Sequence, residues 1–443
     1  MLTCIIALAL ARIEQTDRSA EVVSRDPALA QLVSQFFHAQ QAKGREKLIP
    51  EIERGAQWSI ERVAHEVREA ALWAHIAGAD RIVVPTQSAG DVGVVFRGFK
   101  DPDQSKARGM VLCMPSGEGL GEANLALNLA IQTLGPEFCN DSYIVAMDKA
   151  VGGGFHQHPA AGDDLRKIVL EVRRHLHVDT DRVFLFGYAD GGAAAWTTAL
   201  FHADLFAGAI IVASHPRLPY AEQLAPLLLP NLRALPVLSI YAGETDEAVP
   251  TAIYNRSVAQ FGERNSLPLR GLETAFSSTE QGHLPDYSKI ESAIRDFAGR
   301  RRAAFGQKTG RWFRYLSQGD LGWVKAVKLH GEPWTDEQLS IVVGPSDRDA
   351  YITDFFKDKL FYLGGEANGQ TIALESKGVS QVELLLYEGM IDFTKPVTVT
   401  VNGRKRHEAV IQPSIATLLS AAYDEWDFQR LVYARLTFSV ARD

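Results

Sequence analysis

Short runs of apolar, mostly β-branched residues alternate with amphipathic helical segments between about Asp91 and Arg300. The apolar runs are Val92–Phe96, Met110–Met114, Tyr143–Met147, Val183–Phe186, Ala209–Val212 and Val237–Tyr241. Near-continuous apolar strands that are separated by helices are typical of a mostly parallel sheet with helices on both faces. The pattern predicts an α/β domain over residues 91–302.

The flanking regions have different patterns. Residues 12–90 carry apolar residues at helical spacing, most clearly from Trp58 to Trp73, and predict a helical N-terminal segment. Residues 310–443 are rich in short strand-like runs, and Asn402-Gly403 is a strong signal for a hairpin turn. They predict a mostly antiparallel β domain, interrupted by a helix near Ser414–Tyr423. The basic run Gly299–Arg302, between this region and the α/β domain, fits a solvated linker or a helix end.

Composition narrows the class of protein. The 443 residues are 46% hydrophobic and 23% charged, as in globular proteins, and the net charge is −8. An acidic balance argues against nucleic-acid binding and against a polybasic membrane surface. We find no apolar window long enough for a transmembrane helix, and no pattern that indicates a metal or an organic cofactor. The oligomeric state cannot be read from the sequence.

Residues 1–11 form an apolar run that ends in Ala9-Leu10-Ala11, the pattern of a signal-peptidase site. They predict a signal peptide and export to the periplasm or beyond, although the usual basic start is missing. The alternative is a buried first helix turn in a cytoplasmic protein. If the N-terminus is removed, Cys113 and Cys139 are the only cysteines left to pair, and the sequence leaves open whether they do.

The most informative segment is Arg182–Trp196, where a buried strand runs through Gly187-Tyr-Ala-Asp-Gly191 into an alanine-rich helix. This is the strand–turn–helix context of a nucleophile elbow, in which the residues two before and two after the nucleophile must be small. Gly187 and Gly191 meet that requirement around Ala189, which has no attacking group. A shifted frame with Asp190 as nucleophile would place the bulky Tyr188 where a small residue is needed.

The partners of a catalytic triad follow in the expected chain order. Asp246 lies in a turn after the run Val237–Tyr241, and His283 lies in a loop before a predicted helix. An oxyanion hole would use the N–H of Asp190 and the loop after the strand that contains Cys113, around Ser116 and Gly117. The alternative for that loop is an ordinary strand–helix connection.

Two further loops are weaker candidates. Gly152–His158 contains His156 and His158 but no third ligand at metal spacing, so we expect it to shape the cleft rather than bind a metal. Pro216–Pro236 carries the apolar patch Leu227–Pro230, which could cap the cleft or pack as a helix end.

With these residues the middle of the chain resembles the α/β-hydrolase superfamily, and most closely its carboxylesterase and prolyl-oligopeptidase-like branches. The resemblance is carried by Val178–Gly192, His202–Gly208, the Gly243–Asp246 turn and Gly282-His283, and it covers roughly half of the chain. It implies an α/β-hydrolase fold and a serine-hydrolase site with Ala189 at the nucleophile position. The run Met390–Gly403 resembles a β appendage of some secreted bacterial hydrolases.

Three hypotheses for function follow. The first is a serine-hydrolase scaffold that binds an ester, acyl or peptide-like ligand but has lost its nucleophile, naturally or through a Ser→Ala change. The second is a weak hydrolase in which His283 activates water directly. The third is a binding or scaffold protein that uses the hydrolase cleft and the C-terminal β domain.

Overall fold

The structure is a computed structural model that describes residues 26–39, 41–54, 58–70, 81–97, 106–151, 158–243, 249–279, 282–339 and 347–440. The predicted signal peptide over residues 1–11 therefore lies outside the described residues. No described helix is both long and apolar enough to cross a membrane.

The N-terminal segment begins with three amphipathic helices. They are α1 (Pro27–His38), α2 (Ala42–Arg54) and α3 (Ile60–Glu69). Asp26 caps α1 by accepting hydrogen bonds from the backbone N–H groups of Ala28 and Leu29. The apolar faces of the three helices pack against the C-terminal part of the chain, in a cluster that includes Phe36, Phe37 and Trp426.

The central sheet has eight strands among the described residues. They are β1 (Arg81–Pro85), β2 (Asp91–Arg97), β3 (Arg108–Met114), β4 (Ser142–Met147), β5 (Val178–Tyr188), β6 (Gly208–Val212), β7 (Val237–Ala242) and β8 (Leu269–Thr274). The strand order is β1-β2-β4-β3-β5-β6-β7-β8. β1 and β2 are antiparallel to their neighbours, and β3 to β8 run parallel.

Strand β1 corrects the prediction that residues 12–90 are helical. Arg81–Pro85 pairs along its whole length with β2, which makes it the edge of the sheet. Its sequence, Arg-Ile-Val-Val-Pro, is β-branched but short, and the pairing with β2 decides its conformation. Proline is tolerated there because an edge strand can lack one donor.

Helices cover both faces of the sheet. They are α4 (Leu120–Cys139), α5 (Ala161–His175), α6 (Ala189–His202), α7 (Ala221–Leu228), α8 (Val249–Arg264) and α9 (Tyr287–Ala298). Successive side chains of a strand point to opposite faces of the sheet, so alternate residues of β3 pack into the hydrophobic clusters on its two sides. Val111 and Cys113 face α4 and α9, whereas Met110 and Leu112 face α5 and α6. Cys113 and Cys139 are free, buried thiols, and burial raises the pKa of Cys139 to about 11.

After β8 the chain forms a small hairpin and then the C-terminal sheets. The remaining elements are β9 (Phe276–Thr279), β10 (Gly282–Pro285), β11 (Thr309–Phe313), β12 (Val324–Leu329), α10 (Asp336–Leu339), α11 (Arg348–Lys359), β13 (Phe361–Asn368), β14 (Thr371–Lys377), β15 (Val379–Tyr387), β16 (Pro396–Val401), β17 (Arg404–Val410), α12 (Ile415–Glu425) and β18 (Val432–Ser439). One C-terminal sheet has the order β11-β13-β14-β16-β17 and the other β12-β15-β18. The described strands of these sheets pair antiparallel, except β14 with β16. The turn at Asn402-Gly403 joins β16 to β17, with positive φ at both residues.

One hydrophobic core continues from the α5–α6 face of the central sheet into the C-terminal sheets. Polar contacts cross the same boundary. The side-chain amide of Asn231 bonds both the N–H and the carbonyl of Trp312, each at 2.8 Å. Arg311 is 3% exposed and donates to the Phe201 carbonyl and, at 2.8 Å, to Asp204.

The predicted fold class is confirmed: an α/β protein with a mostly parallel sheet, an N-terminal helical segment and a mostly antiparallel C-terminal β region. Within Pro216–Pro236, Leu228 and Leu229 are buried in the shared core. This favours the packed helix end over a cap on the cleft.

Candidate active site

The candidate site lies at the carboxyl edge of the central sheet, beyond β3 and β5. After β3 the chain crosses to β4 on one side, and β5 lies on the other side. Such a reversal of strand order opens a crevice outside the carboxyl ends of the strands, where α/β proteins bind their ligands. Ser116 follows β3 and Ala189 follows β5, so both residues lie at this crevice.

The turn between β5 and α6 is sharp and strained. Ala189 has φ of +48°, a left-handed conformation that costs an L-residue roughly 1–2 kcal/mol. A Cβ on Gly187 would lie 2.3 Å from the Gly191 carbonyl oxygen, and one on Gly191 would lie 2.3 Å from the Met114 carbonyl oxygen. Both positions therefore require glycine, as the elbow pattern predicts.

Ser116 holds the loop after β3 against this turn. Its hydroxyl donates to the Tyr188 carbonyl and accepts from the Gly191 N–H, both at 3.2 Å. Ser116 is exposed and Gly117 is half-buried against the Glu122 side chain. The two loops that were predicted to supply an oxyanion hole are thus adjacent. The roles of Asp190, Ser116 and Gly117 in such a hole stay predictions.

His283 lies on the β9–β10 hairpin and is tied to the elbow through the last residue of β5. The Tyr188 hydroxyl donates to the His283 carbonyl at 2.6 Å. The exposed His283 ring has its Nδ1 3.3 Å from the Ser278 hydroxyl. Partial burial raises the pKa of Tyr188, so that its hydroxyl stays protonated and able to donate.

Asp190, the first residue after the strained alanine, points into solvent. Its carboxylate lies 2.6 Å from the Arg217 guanidinium, and both side chains are more than half exposed. An ion pair this exposed contributes little to stability. The pair places one positive and one negative charge beside the crevice.

Asp246 and most of the Gly152–His158 loop lie outside the described residues. His158 is described, and its Nδ1 accepts from the Ala160 N–H at 3.1 Å. Among the residues that the structure describes, no group of three or more His, Cys, Asp or Glu side chains could hold a metal ion.

The sequence interpretation missed the contacts that Tyr188, Ser278 and Arg217 make around the crevice. There Tyr188 served only as a bulky residue that argues against a frame with Asp190 as the nucleophile. Its hydrogen bond to His283 joins positions that are 95 residues apart, and no local sequence pattern predicts such a bond. Arg217 follows β6 in a loop at the same edge, and a charged residue there is the one signal that could have drawn attention to it.

Comparison with known proteins gives structural similarity only. No family model and no curated protein matches the chain. A thermostable esterase superposes with a TM-score of 0.39 and 15% identity over 50% of this chain, which covers 62% of the esterase. Esterase 2 of Thermogutta terrifontis superposes with a TM-score of 0.35 and 14% sequence identity, over 50% of this chain and 92% of the esterase.

The fluorophosphonate-binding serine hydrolase F of Staphylococcus aureus gives a TM-score of 0.34 and 14% identity, over 49% of this chain and 97% of its own. The fold follows from the chain itself, through its strand order, its antiparallel first strands and the tight glycine-framed turn after β5. These features make the central part of the chain an α/β-hydrolase fold.

Proposed function

We propose that this chain is a hydrolase-fold protein that binds an ester, acyl or peptide-like ligand at the carboxyl edge of its sheet and forms no acyl-enzyme. The observation that carries the proposal is Ala189 at φ +48° between Gly187 and Gly191. In a nucleophile elbow this is the place of the attacking residue, and a methyl group cannot attack a carbonyl carbon.

The surroundings of Ala189 support ligand binding. The first turn of α6 directs backbone N–H groups and the positive end of the helix dipole toward the crevice, which favours a carbonyl oxygen or an anion there. The His283 loop is fixed beside the elbow by Tyr188. Asp246 is the predicted acid partner of His283.

The Ala189→Ser variant tests the proposal. We expect it to hydrolyse p-nitrophenyl butyrate on the order of 10³-fold faster than wild type, because the loss of the nucleophile removes most of the rate of a triad. A fluorophosphonate probe should also label the introduced serine covalently, whereas it should leave wild type unlabelled. Butyrate esters should slow that labelling by competing for the crevice.

Matched controls separate the site from an adventitious serine. Ala193→Ser adds a hydroxyl one turn further along α6 and should gain neither labelling nor activity. His283→Ala or Asp246→Asn, combined with Ala189→Ser, should remove most of the gain. A folded Ala189→Ser protein with neither hydrolysis nor labelling would contradict the proposal. Wild-type hydrolysis that is lost in His283→Ala would instead favour direct activation of water.

A further inference from the structure

A pocket of about 340 Å³ lies where the N-terminal helices, the central sheet and the C-terminal region meet. It is lined by Arg68 of α3, Arg173 of α5, His177, Thr180 of β5, Trp426 and Phe428. Because β5 begins at Val178 and ends at Tyr188, the pocket lies at the opposite end of this strand from the elbow. Its volume is in the range of small-molecule sites.

Arg173 lines the pocket and carries two donors that its described neighbours leave unused. The residue is 4% exposed, and its Nη1 donates to the Glu425 carbonyl at 3.3 Å. Its Nε and Nη2 are buried and have no acceptor among the described residues. The N–H bonds of Nε and Nη2 run parallel on one edge of the guanidinium, and this two-donor edge matches the two oxygens of a carboxylate or phosphate.

Trp426 also lines the pocket. Its indole Nε1 is buried and likewise lacks an acceptor within the described part of the chain. The residue has φ of +47°, which is unusual for a bulky side chain. Edge-to-face contacts with Phe37 and Phe428 hold its ring in place, at centroid distances of 5.6 and 5.3 Å.

Two other polar side chains that line the pocket are already paired. Arg68 forms an ion pair with Glu388, and the Thr180 hydroxyl donates to Asp427 at 2.6 Å. Asp427 also accepts from Arg302 at 2.5 Å. The described residues that line the pocket include no carboxylate, so its own walls offer Arg173 no anion.

The charge of Arg173 is incompletely balanced. Burial lowers the pKa of the Arg173 guanidinium to about 10, and Arg302 and Arg166 contribute to the lowering. Asp427 and Glu425 act in the opposite direction but do not outweigh burial. A buried cation with free donors is stabilised by an anion that accepts from them.

We propose that this pocket binds an oxyanion, as a carboxylate or phosphate group, on the Nε–Nη2 edge of Arg173 with the indole N–H of Trp426 as a third donor. The rings of Trp426 and Phe428 form an apolar wall for a flat body attached to that group. Because the pocket joins three parts of the chain, its ligand stabilises their association. The proposal is independent of the chemistry at Ala189.

The whole chain can be tested with benzoate, inorganic phosphate and, as a neutral control, benzamide. We expect benzoate or phosphate to raise the melting temperature saturably, as a ligand of the native state does, and benzamide to leave it unchanged. Tighter binding of benzoate would identify a carboxylate with a flat body as the ligand class. Tighter binding of phosphate would identify a phosphate group.

Two variants assign the effect to the pocket. Arg173→Met should abolish it, whereas Arg174→Met, at the neighbouring arginine that pairs with Glu171, should retain it. Trp426→Phe keeps an aromatic ring but removes the donor, and should raise the dissociation constant on the order of tenfold. If Arg173→Met does not fold, the dissociation constant measured for Trp426→Phe tests the proposal instead. Absence of saturable binding to wild type, or equal affinity in folded variants, would overturn the proposal.

Discussion

The hydroxyl of Tyr188 lies 2.6 Å from the backbone carbonyl oxygen of His283 and donates a hydrogen bond to it. Tyr188 is the last residue of β5, directly before the elbow, and His283 belongs to the β9–β10 hairpin. The bond therefore fixes the distance between the two loops that carry the predicted nucleophile position and the predicted base.

Tyr188→Phe removes this bond with little change in shape. We expect a loss of about 1 kcal/mol in the free energy of unfolding. In the Ala189→Ser background, kcat/KM for a p-nitrophenyl ester should fall about tenfold, because small misplacements of a base are costly. Tyr220→Phe, at a half-buried tyrosine that packs on Phe356, is the control. Unchanged kcat/KM with reduced stability would limit Tyr188 to a structural role.

Ala189→Gly should stabilise the protein by about 0.5–1 kcal/mol. Glycine adopts a positive φ without the strain that alanine has there, and this gain exceeds its greater loss of backbone entropy. Ala194→Gly, in the regular part of the same helix, should cost about 1 kcal/mol. Denaturant unfolding of both variants measures the difference. If Ala189→Gly is as destabilising as Ala194→Gly, the elbow is not strained.

His202 should make the protein sensitive to acid. Its ring is fully buried, and neither nitrogen has a partner among the described residues. Burial lowers the pKa of His202 well below 6.5, and the nearby Arg166 and Arg311 lower it further against the opposing effect of Asp204. Below about pH 6.5 the unfolded chain therefore binds a proton that the folded protein does not, and stability falls as the pH falls.

His202→Leu should reduce the decline in the free energy of unfolding between about pH 6.5 and pH 5, where the unfolded histidine takes up its proton. Urea unfolding at several pH values measures it. His38→Asn, at an exposed histidine of α1, should retain the wild-type dependence. An unchanged dependence in His202→Leu would assign the acid sensitivity to other groups.

Asn231→Ala should weaken the attachment of the C-terminal sheets. The change leaves the N–H and carbonyl of Trp312 without their Asn231 partners and also removes a bond to the Leu200 carbonyl. We expect a loss of about 2–4 kcal/mol in the free energy of unfolding. Asn265→Ala, which removes one exposed bond to the Phe261 carbonyl, should cost less than about 1 kcal/mol. Equal losses in the two variants would contradict the expectation.

Local patterns predicted the features that neighbouring residues determine. Gly187 and Gly191 identified the tight turn after β5, and Asn402-Gly403 identified the β16–β17 hairpin, because each requires a particular backbone conformation at adjacent positions. The parallel sheet was predictable because strands buried on both faces are apolar throughout.

Features that depend on distant partners were not predictable. Strand β1 forms because it pairs with the free edge of β2. Asn231 contacts Trp312, which lies 81 residues further along the chain. The pocket at Arg173 draws its walls from α3, α5 and the segment after α12, whose sequences give no common signal. Asp246 and the signal peptide stay predictions.

The strained turn at Ala189 also bears on how such a protein could change over generations. Alanine and serine codons can differ by a single base, and under the proposed function the turn at position 189 already has the strained conformation of a nucleophile elbow. If Ala189→Ser gains activity, inert and reactive forms of this fold are adjacent in genetic terms. Selection on such a lineage would then act on the loops that determine ligand specificity, since the turn itself would need no further change.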